Sequence, residues 1–142
     1  MPPLVTYRGA IYPWHCDHLG HMNNMWYAGK FDEASWNLLL QLGVSPSYQR
    51  QNARGVAAVE QNTNFVRELM AGDVVEVRSE ILEIREKTMR CRHTMFNADT
   101  GEVAATCEIV GVHVDMAARK SCPFPQELRA GAERLGGLAK AA

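Results

Sequence analysis

Apolar and polar positions change their period part-way along this chain. Val5, Tyr7, Ile11 and Tyr12 form a short β-prone run that Pro13 stops, which predicts a first strand over Val5–Tyr12. His15 to Asn23 has the composition of a loop, with Asp17, Gly20 and Asn23. From Tyr27 onward apolar residues recur at helical spacing, as Tyr27, Phe31, Ala34, Leu38 and Leu42, and Trp26, Leu39 and Leu40 widen the apolar surface. This predicts one long, largely buried helix. Asn23 or Asn24 can cap its start by accepting a hydrogen bond from a free backbone N–H, Gly43 stands where a left-handed C-terminal residue belongs, and Pro46 cannot continue it. A polar connection, Ser45 to Arg54, follows.

The period then becomes two. Gly55–Glu60 and Thr63–Arg67 predict a second strand, broken or bent near Gln61 and Asn62. Val75, Val77, Ser79 and Ile81 alternate with Glu76, Arg78 and Glu80. Met89, Cys91, His93 and Met95 alternate with Arg90, Arg92 and Thr94. Ala105, Cys107 and Ile109 oppose Thr106 and Glu108. Met70–Asp73, Arg85–Lys87 and Ala98–Gly101 are the reversals between them, so these strands form an antiparallel meander. Lys120 to Pro125 is expected to be extended, and Glu127 to Leu138 to be a short helix or a frayed end. The order is α+β, with a five-stranded antiparallel sheet around one long helix, in a single domain spanning residues 1–142 whose end, about 129–142, is a candidate frayed tail. A sheet covers only one side of a helix, so a homo-oligomer, dimer or tetramer, is expected.

The chain has 142 residues, enough for a real core, with 46% hydrophobic and 22% charged residues and a net charge of -1. That balance argues against a general nucleic-acid or membrane-surface binder, and no apolar run reaches the roughly 18 residues of a membrane span. Cys16, Cys91, Cys107 and Cys122 show no CxxC spacing, and Met1-Pro2-Pro3-Leu4 has neither the basic nor the apolar part of a signal peptide. Free thiols and a cytoplasmic setting are expected.

The unusual chemistry is concentrated between Trp14 and Tyr27. His15, Cys16, Asp17, His18 and His21 fall within seven residues, and three readings compete for them. In the first, Asp and Asn are caps and nothing more. In the second they hold a metal, although the spacing matches none of the common zinc patterns and no second ligand pair is evident. In the third, Asp17 does chemistry near the positive end of a helix whose first N–H groups have no intrahelical partner and can polarise a carbonyl. Cys16 as a nucleophile ranks low, because adjacent residues in an extended loop point apart. His93 and His113 read as hydrogen-bonded sheet histidines.

Asp17-His18-Leu19-Gly20-His21-Met22-Asn23-Asn24, followed by Tyr27 and Phe31-Asp32-Glu33-Ala34, resembles the Asp-x-x-Gly-His-x-Asn-Asn-x-x-Tyr pattern of the hydroxybenzoyl-CoA thioesterase-like branch of the hot-dog fold acyl-CoA thioesterases. Asp115 to Pro125 resembles the Asp-x-x-x-Arg-Lys-x-x-Pro-x-Pro ending of the same family. The resemblance spans Tyr7 to about Leu128. It implies an acyl-CoA substrate, no cofactor beyond the coenzyme A of that substrate, and no metal. It further implies Asp17 as nucleophile or general base and the Asn24 backbone N–H as the group that polarises the thioester carbonyl, with His21 and Asn23 in support. Arg85 and Lys87 match positions that hold nucleotide phosphates of CoA, with Glu86 where some relatives carry a second Arg.

His15 stands where many relatives have an acid two residues before the catalytic one. Trp14, Trp26, Trp36 and Tyr27 near the motif raise a substrate question, because a quaternary ammonium acyl group would favour an aromatic cage. Tyr27, Trp26 and Trp14 are the substrate-binding candidates on that reasoning, beside plain aliphatic or aromatic acyl groups. Two rival functions share the pattern: a hydratase or dehydratase acting on an acyl thioester, and a non-catalytic acyl-CoA or acyl-carrier binding module.

Overall fold

The computed structural model describes residues 3–139. Along the chain it runs β1 (Leu4–Ala10), a 3-10 turn (Pro13–His15), α1 (Asn24–Leu42), α2 (Pro46–Asn52), β2 (Arg54–Phe65), β3 (Val74–Ile84), β4 (Thr88–Asn97), β5 (Val103–Asp115), β6 (Lys120–Ser121), α3 (Gln126–Arg134) and β7 (Leu138–Ala139). The main sheet has the spatial order β1-β3-β4-β5-β2 with every neighbouring pair antiparallel; the two-residue β6 joins β5, and β7 runs parallel to β3. It curls around α1 as a hot-dog fold.

Alternation decides which side chains face the helix. Val75, Val77, Ser79 and Ile81 of β3, Met89, Cys91, His93 and Met95 of β4, and Ala105, Cys107 and Ile109 of β5 are buried, as their spacing predicts. Against them α1 packs Tyr27, Phe31, Ala34, Leu38 and Leu42. Burying a side chain the size of Phe31 contributes roughly 1.5–3 kcal/mol. The helix is not largely buried, however. Met25, Trp36 and Leu40 on its other face are exposed, Trp36 by 70%, because the sheet reaches only one side.

The two sheet histidines inside the core are paired. His93 lies between Ser79 and Ser35, with Ser35 Oγ 2.8 Å from its Nε2, and Thr6 Oγ1 is 2.6 Å from Ser79 Oγ. Burial holds His93 neutral, down to a pKa of about 4. His113 meets Tyr48 Oη at 3.0 Å on one nitrogen and the carbonyls of Cys122 and Pro123 on the other. All four cysteines are free thiols.

Two elements differ from the sequence expectation, and a third takes one of its two alternatives. The connection after α1 contains α2, started by Pro46 at a position that needs no N–H and capped by Ser45 Oγ, which accepts from Tyr48 N–H at 3.1 Å. Strand β2 is continuous through Gln61 and Asn62; its irregularity lies between Ala58 and Glu60. The C-terminal segment through Arg134 is helical and docked, with Leu128 and Ala132 buried, while residues 140–142 of the candidate tail lie outside the described residues. Gly43 does end α1 in the left-handed region, at φ 95°.

Candidate active site

The loop before α1 is a tight hairpin closed on itself. A bridge pairs Cys16 with Met22, Asp17 N–H donates to His21 O at 3.1 Å, and Gly20 N–H donates to Asp17 O at 3.0 Å. Gly20 makes the reversal at φ 85°, a conformation that disfavours any side chain. The loop is fixed from outside by Met22 N–H, which donates to Leu69 O at 2.7 Å, and by Asn23 N–H, which donates to His15 O at 2.9 Å.

Asn23 joins the loop to the helix. Its Oδ1 accepts from Met25 N–H at 2.9 Å, the cap that starts α1, and its Nδ2 donates to Asp17 Oδ2 at 2.9 Å. The other oxygen of Asp17 accepts from Leu19 N–H at 2.9 Å. Asn23 and then Leu19 hold the Asp17 carboxyl below the usual carboxylate range, with smaller help from the nearby His21 and His18. Asp17 is therefore ionised at neutral pH. Of the first helical N–H groups, that of Met25 goes to Asn23 Oδ1 and that of Trp26 to Asn23 O, whereas that of Asn24 has no hydrogen-bond partner among the described residues. An ionised carboxylate and an unused donor at a positive helix end are thus tied together by one side chain.

Beside this helix start is a cleft bordered by His21, Asn24, Tyr27, Phe65 and Arg67, of about 150 Å³. The His21 ring sits 3.9 Å from Glu68 and 3.4 Å from Met22 O. Tyr27 is buried, edge-on to Phe65 at 5.1 Å, with its hydroxyl donating to Arg67 O.

The remaining candidates lie apart. Trp14 and Trp26 border a different cavity on the β1 flank of α1, together with His15 and Lys30. Trp36 opens on a third, between α1 and the sheet, beside Asp32. The four aromatic residues therefore form no common cage within this chain. Arg85 and Lys87 sit in the reversal between β3 and β4. The loop at Asp17 is attached near Leu69, just before the opposite end of β3, so roughly 30 Å of strand separates the two. Arg85 turns to Glu83 at 3.3 Å. Among the described residues no group of three His, Cys, Asp or Glu side chains could hold a metal ion.

Lys30 is a residue that the sequence pattern hid. It is 6% exposed on the buried face of α1, where positions 27, 30, 31 and 34 share one stripe. That spacing was its only signal.

A model of the thioesterase-like superfamily matches residues 11–131. The chain belongs to that superfamily. Its relatives include the betainyl-CoA thioesterase of Pseudomonas aeruginosa, 27% identical over 132 residues that cover 93% of this chain and 83% of the relative. The long-chain acyl-CoA thioesterase FadM of Escherichia coli is 27% identical over 137 residues, covering 95% of this chain and 98% of the relative. Among solved structures, a Staphylococcus aureus protein in complex with CoA matches with a TM-score of 0.87 at 22% identity, over 95% of this chain and 85% of that one. That likeness bears on the fold. Within the described residues no helix is long and apolar enough to cross a membrane.

Proposed function

We propose that this member of the superfamily hydrolyses an acyl-CoA thioester to a free acid and CoA at the start of α1. The observation that carries the reading is the pair of hydrogen bonds made by the Asn23 side chain, which holds Asp17 while capping a helix whose Asn24 N–H is left unused among the described residues. The carbonyl oxygen of the thioester accepts from Asn24 N–H. As attack proceeds that oxygen gains negative charge, and a donor fixed in place beforehand stabilises it, by roughly 3 kcal/mol for one such group. Asp17 acts in its ionised form, adding to the carbonyl carbon or taking a proton from the water that does. Collapse then expels the CoA thiolate, which is protonated on release; where Asp17 itself has added, water then cleaves the acyl–Asp17 anhydride to the free acid and regenerates the carboxylate. Asn23 positions the carboxylate, and His21 borders the cleft.

The acyl group proposed is apolar. A betainyl group carries its ammonium one methylene from the thioester carbonyl, whereas Trp36 lies twelve residues beyond Asn24, about 18 Å along the helix axis. Trp14 and Trp26 share their cavity with the Lys30 cation, which repels a second cation. An alkyl chain can instead follow α1 into the cavity lined by Leu38, Leu39, Met89 and Ile109.

The site is proposed to work in a homodimer. Strand β2 is a sheet edge that exposes Val59 and Phe65, near the exposed face of α1. Because Arg85 and Lys87 are so far from Asp17 within one chain, any contact they make with CoA phosphates belongs to the site of a second copy.

Thiol release measured over short, long, aromatic and cationic acyl-CoAs tests the reading. Turnover of apolar acyl groups is expected. An absorbance change at an enoyl group without thiol release would instead assign a hydratase, and tight binding with neither signal a binding module.

A further inference from the structure

The cavity on the β1 flank of α1, about 480 Å³, shares no lining residue with the cleft at the helix start. Its size falls within the range of small-molecule sites. At its inner wall is Lys30, 6% exposed, with its ammonium donating to Tyr7 Oη at 2.8 Å and lying 5.0 Å from the Tyr7 ring centre. An ammonium offers three donors, and this one has a single hydrogen-bond partner among the described residues. Glu33 also borders the cavity but forms no ion pair with Lys30. The donors that Tyr7 leaves over are those that an anion entering the cavity would take up.

The other walls are aromatic. Tyr12 and Trp14 are stacked at 4.3 Å and 7°, Trp14 is 64% exposed, and the His15 ring stands edge-on to Trp26 at 4.6 Å. His15 Nδ1 accepts from Tyr12 N–H at 2.9 Å, which fixes this ring and occupies that nitrogen. Flat faces of this kind favour a ring over an alkyl chain. A cationic body is disfavoured so close to the Lys30 ammonium.

We infer that this cavity binds a small aromatic carboxylate, its carboxylate on the Lys30 ammonium and its ring against Trp14 and Trp26. The site is independent of the hydrolytic reading. It adjoins the catalytic loop, since the His15 carbonyl accepts from Asn23 N–H.

Calorimetric titration of the intact protein with benzoate tests this, using benzamide, acetate and glycine betaine as comparison ligands. Benzoate is expected to bind on the order of tenfold more tightly than benzamide, which lacks the charge, and than acetate, which lacks the ring. Lys30→Met, which keeps the apolar stem, should lose that preference for benzoate over benzamide. Trp14→Ala, at an exposed position, should weaken both aromatic ligands. If Lys30→Met does not fold, the ligand comparison and Trp14→Ala decide alone. Benzoate binding no tighter than benzamide, binding indifferent to Trp14→Ala, or glycine betaine binding more tightly than benzoate would each overturn the inference.

Discussion

Asn23→Asp separates the two tasks that Asn23 performs. Aspartate caps a helix as well as asparagine, so the bond to Met25 N–H survives, whereas alanine at this position loses a cap worth about 1 kcal/mol. For a chain of this size that loss lowers the melting temperature by about 3 °C. The donor to Asp17 Oδ2, now at 2.9 Å, is gone in both variants, and in Asn23→Asp a second carboxylate takes its place. A like charge so close raises the pKa of Asp17, reversing the direction that Asn23 imposes. The acid limb of the turnover profile should therefore lie below the ordinary carboxylate value of 3.8 in the parent protein and move upward in Asn23→Asp. Misplacement of the carboxylate should also lower kcat on the order of 10²-fold at neutral pH. Thiol-release kinetics across pH, paired with thermal melts, read both quantities. An Asn23→Asp protein with parental melting temperature, kcat and acid limb would refute the positioning role.

Gly43→Ala should cost about 1 kcal/mol in denaturant unfolding, because φ is 95° there and an added methyl meets nothing within 4 Å, so backbone strain is the whole effect. His93 is held down to a pKa of about 4, below its unfolded value of 6.5, so the unfolded chain binds the extra proton between these values. Stability should thus fall by about 3 kcal/mol as pH drops through that window, and His93→Gln should flatten this slope. Val59→Lys on the exposed edge β2 should turn a sedimenting dimer into a monomer while leaving the sheet folded, and a parent protein that sediments as a monomer at all concentrations would remove the proposed interface.

The meander from Val75 to Asp115 was readable because one face of each strand is buried and the other wet, which writes a period of two into the residues. The α1 cap was readable for a similar reason: only a few side chains satisfy an orphan N–H, and Asn23 is one of them. Helix α2 was not, because it buries no residue fully and has no apolar stripe; it rests on Ser45, Pro46 and the contact of Tyr48 with His113. Lys30 was not legible because a cation on an apolar stripe looks like an interruption, and its partner among the described residues, Tyr7, stands 23 positions earlier. Proximity in sequence misled for the aromatics. Trp26, Tyr27 and Trp36 stand close along the chain, yet a helix turns successive side chains by about 100°, which sends these three to three separate cavities. Asp17 and Asn23, in contrast, are joined by a hydrogen bond within seven residues, next to the Asn24 N–H at the helix start.

The proposed hydrolysis at the start of α1 depends on the Asp17 carboxylate, and thiol release by Asp17→Asn measures that dependence. The variant keeps the shape of the side chain and should melt close to the parent protein, because the group it alters is at the surface of a loop held by backbone bonds. It should bind acyl-CoA but lose nearly all turnover. Near-parental thiol release from a folded Asp17→Asn protein would contradict this role of Asp17.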